Sequence, residues 1–266
     1  MIVLALGGHL LAHADPNLGR LLGTDRIVVT HGNGPQVGDA LLLRPETALW
    51  QLVAGTQGEI GAPLAVRLGG ACLVTHVVVD PRDPAFGTPT KPVGPVYGDD
   101  EELPFPTADD PGRGRRRIVP SPPPLEIVEL DAIRSLLDAG IPAVACGGGG
   151  IPVVRRDGAL EGVDAVIDKD RVSALLAIGL DAERLVVVTD VAAVKRGFGT
   201  SEAEELRELS IADTEALLPE LAAGSMRPKV ESAAAFARAT GREALITDAA
   251  SLAGALAGNA GTTVHP

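Results

Sequence analysis

Apolar residues along this chain fall into two alternating patterns. Short runs rich in Val, Ile and Ala, at Ile2–Leu6, Arg26–Thr30, Cys72–Val79, Pro142–Cys146, Leu185–Thr189 and Ala244–Thr247, predict strands. Between them, Ala- and Leu-rich stretches near Ala48–Leu68, Leu125–Ala139, Arg171–Ile178, Ala212–Leu221, Pro228–Ala239 and Ala249–Leu256 predict helices. Strands that are apolar throughout are buried on both faces, which predicts an α/β fold with a mostly parallel sheet covered by helices on each side. Ligands of such sheets bind beyond the carboxyl ends of the strands.

The alternation breaks from Asp80 to Pro124, which is dense in Pro, Gly and acidic residues and has no long helical pattern. A structureless loop of that length is unusual in a compact domain and is usually functional. The segment predicts a small protruding subdomain, or lid, spanning about residues 81–124; the competing reading is a disordered insertion. Phe86, Tyr97 and Phe105 would give the subdomain a mini-core of its own.

Three predicted strands run directly into glycine: Ile2–Leu6 into Gly7, Gly8 and His9; Arg26–Thr30 into His31, Gly32, Asn33 and Gly34; and Pro142–Cys146 into Gly147, Gly148, Gly149 and Gly150. Glycine turns on one sheet edge leave backbone N–H groups free to face an anion.

Composition narrows the partners. A length of 266 residues suits one large α/β domain or two lobes around a cleft, and 45% hydrophobic residues supply a core. Aromatics are 2% and the net charge is −12, which argues against nucleic acid. The single basic run, Arg113 to Arg117, is local; it reads as a solvated turn near the cleft or as an anion contact there. Cys72 and Cys146 read as reduced core thiols in strands. Met1–Ala14 has no Lys or Arg and is interrupted by two glycines, so no secretory signal is expected. No stretch reaches the roughly 20 apolar residues of a membrane span. A cytoplasmic protein is expected.

The chain holds only four lysines against nineteen arginines: Lys91, Lys169, Lys195 and Lys229. Three sit in marked motifs, Thr88-Pro-Thr-Lys-Pro-Val-Gly-Pro95, Val166-Ile-Asp-Lys-Asp170 and Gly224-Ser-Met-Arg-Pro-Lys-Val230. A lysine ammonium is a compact charge that can follow a moving phosphoryl group, unlike the planar guanidinium fork. No Walker-type loop, protein-kinase signature, zinc spacing or acyl-transfer triad is present. Direct phosphoryl transfer fits what remains, because it needs alignment and charge neutralisation rather than covalent help. Asp168 and Asp170 flank Lys169; a carboxylate there can orient lysines and keep them protonated. The competing reading is an exposed charged turn with Asp170 as helix N-cap.

The motifs, taken with Gly7-Gly8, His31-Gly-Asn-Gly-Pro-Gln-Val-Gly38, Val78-Val-Asp-Pro81, Val119-Pro-Ser-Pro122, Cys146-Gly-Gly-Gly-Gly-Ile-Pro-Val153 and the C-terminal Gly261-Thr-Thr-Val264, resemble carbamate kinase, a branch of the amino acid kinase superfamily. The matches run in order along nearly the whole chain. The resemblance implies a three-layer αβα sandwich, a homodimer and the protruding subdomain. It implies an acid-binding lobe over residues 1–150 and a nucleotide-binding lobe over 151–266. The reaction implied is ATP plus carbamate to and from ADP plus carbamoyl phosphate, with Mg2+ on the nucleotide and no protein-held metal. By motif, Lys91, Lys169 and Lys229 would contact the transferring group and Asp170 would organise them. Gly7, Gly8, His9, Gly32, Asn33, Gly34 and Gly147–Gly150 would bind the acid substrate and phosphate. Asp168, Thr189, Asp190, Ser225 and Met226 would line the nucleotide pocket.

The chain departs from the family pattern at four places. His9 stands where the family has Asn, Pro123 where it has Lys, and the Arg115–Arg117 run where it has a Trp. The segment Leu10–Asp25 is short and broken by Pro16 where the family has a long first helix. A kinase for a related small carboxylate or carbamate-like acid, and a catalytically weak nucleotide- or metabolite-binding homologue, therefore stay open as alternatives.

Overall fold

The computed structural model describes residues 1–7, 24, 26–110, 114–222 and 224–266. Its centre is an eight-stranded sheet. The N-terminal half contributes β1 (Ile2–Leu6), β2 (Ile27–His31), β3 (Ala71–Cys72) and β9 (Ala143–Val144). The C-terminal half contributes β12 (Arg184–Thr189), β15 (Glu208–Ser210), β16 (Ala244–Asp248) and β17 (Thr262–His265), while Val194–Arg196 (β13) and Glu204–Leu206 (β14) pair separately. The order is β15-β17-β16-β12-β1-β2-β9-β3, so strands of the two halves lie on opposite sides of the β1–β12 pair. Neighbours run parallel except β16 and β17.

Side chains on these strands alternate between two apolar layers. Val3, Ala5, Val28, Leu185, Val187 and Ile246 face one layer, which includes Ile133, Leu176 and Phe236 from three helices. Ile2, Leu4, Ile27, Val29, Val186 and Leu245 face the other, which includes Ile60, Leu64 and Leu252. The helices of the first layer are Leu130–Asp138 (α3), Lys169–Gly179 (α4) and Met226–Thr240 (α6). Those of the second are Leu49–Leu68 (α2) and Leu252–Leu256 (α7). Helix Gly34–Leu43 (α1) covers a separate small core, and Ile211–Leu217 (α5) precedes β16. This is a three-layer αβα sandwich. No helix among the described residues is long and apolar enough to cross a membrane.

The apolar run Cys72–Val79, expected to be one strand, is two. Its start is β3 in the central sheet; its end, His76–Val78 (β4), joins a second, four-stranded sheet with Glu126–Ile127 (β8), Ile151–Arg156 (β10) and Ala159–Gly162 (β11). The break occurs at buried Thr75, whose N–H donates to the Gln57 side chain at 2.9 Å while its carbonyl accepts from Gln57 Nε2 at 3.0 Å. One amide thus satisfies the backbone as it leaves the sheet. The β10–β11 hairpin turns through Asp157 and Gly158, both at positive φ, which is the primed turn that Asp-Gly favours.

The segment expected to protrude contains a three-stranded antiparallel sheet: Lys91–Val96 (β5), Thr107–Asp110 (β6) and Gly114–Val119 (β7). Tyr97 and Phe105 meet edge to face at 5.5 Å, and Arg117 lies 4.6 Å over the Phe105 ring. Phe86 is a correction: it packs against the main core instead of joining them. The arginine run is a second correction. Arg115 donates to the carbonyls of Gly98, Asp99 and Glu101, and Arg116 bonds to the Gly94 carbonyl and to Asp110. These guanidiniums brace the small sheet from within; Arg113 lies outside the described residues.

Candidate active site

The register of the central sheet brings the ends of its middle strands level, with Leu6 beside both Val188 and His31. Beyond that edge lies a cleft of about 150 Å3, lined by residues of helices α1, α4 and α6 and the loops before them, of β5, and of the Gly147–Gly149 turn. Helix α1 begins there at Asn33-Gly34, helix α4 at Asp168-Lys169-Asp170 and helix α6 at Ser225. Each helix start carries the positive end of a dipole, so their convergence suits an anion. Lys91 reaches the same cleft from β5 of the three-stranded sheet.

The lysines are held by two aspartates. Lys169 Nζ donates to Asp170 Oδ1 at 2.7 Å, and Lys229 Nζ donates to Asp170 Oδ2 at 3.0 Å, so one carboxylate that is only 5% exposed bridges both. Lys229 also donates to the Ser225 carbonyl at 3.2 Å. Lys91 Nζ pairs with Asp168 Oδ2 at 2.5 Å. The other Asp168 oxygen accepts from the N–H groups of Asp170 and Arg171, so Asp168, not Asp170, caps helix α4. Three lysines from Lys91 to Lys229 thus meet around one hollow with two carboxylates between them.

Burial and pairing compete in this cluster. Burial alone would raise the Asp170 carboxyl, but Lys169 and Lys229 overcome it and hold it below its ordinary range. Burial acts against Asp168 in the same way, and Lys91, Lys169 and Lys229 pull it well below. Burial lowers Lys169, and the nearby Lys229 adds to this; Asp170 offsets only part, so Lys169 sits below the ordinary lysine value. For Lys229 burial is outweighed by Asp170, Asp168 and Asp190, and its value is raised. Lys169 is therefore the first of the two to lose its proton as pH rises. The alkaline limb of the kcat–pH profile is expected below the ordinary lysine value of about 10.4. A profile flat to that pH would separate Lys169 protonation from turnover.

The acid-side candidates are distributed unevenly. Gly32, Asn33, Gly34 and Gly148 line the cleft. Asn33 is aimed by Thr56, whose hydroxyl accepts from Asn33 Nδ2 at 2.9 Å and donates to the Val53 carbonyl at 2.8 Å. The N–H groups of Gly149 and Gly150 return to the carbonyls of Cys146 and Gly147, which removes them as donors to an anion. The run is glycine for want of space: a Cβ on Gly147 would lie 2.3 Å from His31 Nε2, and one on Gly148 2.2 Å from Asn33 Nδ2. Cys146, expected in a strand, holds positive φ at the turn instead, and burial pushes its thiol up to about 12. The Gly7 N–H is used by the Val188 carbonyl at 3.0 Å. Gly8 and His9 lie outside the described residues.

Of the residues expected to line a nucleotide pocket, Asp168 and Ser225 line the cleft, whereas Thr189, Asp190 and Met226 do not. Thr189 ends β12. Asp190 follows it and acts on Lys229 through its charge. Met226 opens helix α6 and packs against the main core. Among the described residues no cluster of three His, Cys, Asp or Glu side chains is placed to hold a metal.

Sequence reasoning missed the residues that support this edge. Buried Thr30 and Ser173 bond at 2.6 Å and tie β2 to helix α4. Thr75 Oγ1 accepts from the Cys146 N–H at 2.8 Å at the entrance to the glycine turn. Thr56 and Gln57 stand at buried positions of an otherwise apolar helix face, and that interruption was the available signal.

The chain is similar to known carbamate kinases in sequence and in fold. A carbamate kinase from Halobacterium salinarum is 44% identical over 260 residues, covering 90% of this chain and 85% of that protein. The structure of a carbamate kinase from Giardia lamblia bound to AMP-PNP superposes with a TM-score of 0.83 at 34% identity, covering 99% of this chain and 98% of that one. A structure from Aeropyrum pernix reaches a TM-score of 0.89 at 36% identity, covering 99% of each chain. The sequence model of the amino acid kinase family matches residues 1–248. With that match across most of its length, the chain belongs to the amino acid kinase family.

Proposed function

We propose that the chain is a carbamate kinase-like phosphotransferase that moves a phosphoryl group directly between ATP and carbamate, in either direction. The observation that carries this reading is the meeting of Lys91, Lys169 and Lys229 around one cleft, with two of them sharing buried Asp170. In-line transfer spreads negative charge over the equatorial oxygens of the moving group. Each ammonium keeps donors beyond those its aspartate uses, and these can turn toward that charge as it develops. Asp170 holds Lys169 and Lys229 in place before substrate arrives, so little reorganisation is needed at the moment of transfer.

In this reading residues 1–150 hold the acid and residues 151–266 the nucleotide. Gly32, Asn33, Gly34 and the start of helix α1 take the carbamate side; the Gly224-Ser225 turn and the start of helix α6 take the nucleotide phosphates. Mg2+ arrives with the nucleotide, as it does where phosphates and water supply most of its ligands. Asp168 pairs with Lys91 and caps helix α4, so its role here is to orient Lys91 more than to touch nucleotide. A homodimer is proposed from the resemblance.

A coupled assay tests the assignment. The purified protein is expected to form ATP from ADP, Mg2+ and carbamoyl phosphate, and to consume ATP when carbamate is supplied. A folded protein with no turnover in either direction would refute the reading. His9, in place of the family Asn, motivates a second reading, a related small acid as substrate. A higher kcat/KM on another carboxylate than on carbamate would move the assignment there.

A further inference from the structure

Two glycines in the family-like motifs have no part in the chemistry described so far. Gly38 lies inside helix α1 and Gly94 lies on β5 of the lid, and their backbones touch. A Cβ built on Gly38 would sit 1.8 Å from Gly94 Cα and 2.1 Å from Gly94 N. Gly38 has helical backbone angles, so alanine would suit its conformation and would ordinarily stabilise a helix. Only the approach of β5 excludes it. Gly94 holds φ at +75°, at an irregularity in the β5–β7 pairing between Val93 and Val96. Buried Arg116 secures the contact from the far side: Nε donates to the Gly94 carbonyl at 2.9 Å and NH1 pairs with Asp110 at 2.8 Å. Val93, next in the chain, is fully buried in a small core with Val37 of helix α1 and with Val166, which lines the cleft.

Lys91 stands three positions before Gly94 on the same strand, with Pro92 fixing the backbone between them. A shift of the strand at Gly94 is therefore passed to Lys91 instead of being absorbed. We infer that the Gly38–Gly94 contact, clamped by Arg116, is a positioning device that sets how far Lys91 reaches over the transferring group. The inference rests on the reading that Lys91 engages that group.

A double-mutant cycle in the full-length protein tests it. Gly38→Ala is expected to lower kcat by roughly 10- to 100-fold, as a misplacement of about an ångström can, with KM for nucleotide little changed. In a Lys91→Ala background the same substitution should change kcat by no more than about twofold, the sign of a shared route. Gly55→Ala is the control, because a Cβ there meets nothing within 4 Å. If Gly38→Ala does not fold, Arg116→Lys, which removes the guanidinium bond to Gly94, is read through the same cycle. Trypsin cleavage within Arg115–Arg117, measured without substrate, should be faster in Gly38→Ala than in wild type. Equal losses of kcat in both backgrounds, or a lid as resistant to trypsin as in wild type, would overturn the inference. Should wild type show no turnover at all, the functional reading fails and the proteolysis arm alone decides this one.

Discussion

Lys169→Ala is expected to lower kcat by roughly 10²-fold or more while KM for nucleotide moves little, because it removes a preorganised charge from the transferring group. The effect should be large because Lys169 is nearly enclosed, 11% exposed, and held in place by Asp170. Water is partly excluded there, so the Lys169 ammonium acts on developing charge more strongly than it would at an exposed site. Steady-state kinetics on folded variant checks this. A change confined to KM would place Lys169 in ground-state binding instead.

Asp170→Ala is expected to destabilise the fold by about 3–5 kcal/mol, the usual result of removing one partner from a buried ion pair. The variant leaves Lys169 and Lys229 facing each other without the carboxylate they share. Denaturant unfolding of variant and wild type measures the difference, and its pH dependence has a fixed sign. The folded-state pKa of Asp170 is depressed, so its stabilisation is present above the ordinary aspartate value of about 3.9 and is lost as pH falls through the folded value. The gap between the two proteins should therefore be full at neutral pH and close in acid. Lys169 works in the opposite sense. Its lowered pKa is a cost of keeping it charged, complete at neutral pH and relieved as pH rises past its folded value.

Much of the frame was legible because burial leaves a plain mark on composition. Strand β1 was read end to end since every residue of Ile2–Leu6 is buried. The same signal misled at Cys72–Val79, where apolar residues continue through a change of sheet that Gln57 makes possible from a distant helix. Helix α1 escaped notice because its glycines and its Pro35 lower helical propensity, and its contact with the lid compensates. The small sheet of β5, β6 and β7 was hidden for a related reason: Arg116 pairs with Asp110 and Arg115 donates to backbone carbonyls, so polar side chains hold it and no apolar period marks β6 and β7.

At the site, the scarcity of lysine picked out Lys91, Lys169 and Lys229, and the folded chain brings all three to one cleft. That Lys169 and Lys229 share Asp170 depends on how helices α4 and α6 are phased against each other, which no local pattern records. The choice of Asp168 as the helix cap is also a matter of backbone angle: its ψ of 124° is extended, whereas Asp170 is already helical. The four glycines from Gly147 were readable as a turn, but the space taken by His31, Asn33, Ile167 and Val77 explains why they are glycines.

The most direct measurement is a structure of the protein with ADP, Mg2+ and aluminium fluoride, a mimic of the group in flight. The account predicts that the Nζ atoms of Lys91, Lys169 and Lys229 all lie within about 3 Å of the fluorides. A fluoride complex bound elsewhere, with Lys91 still on Asp168 and the other two still spending their donors only on Asp170, would contradict it.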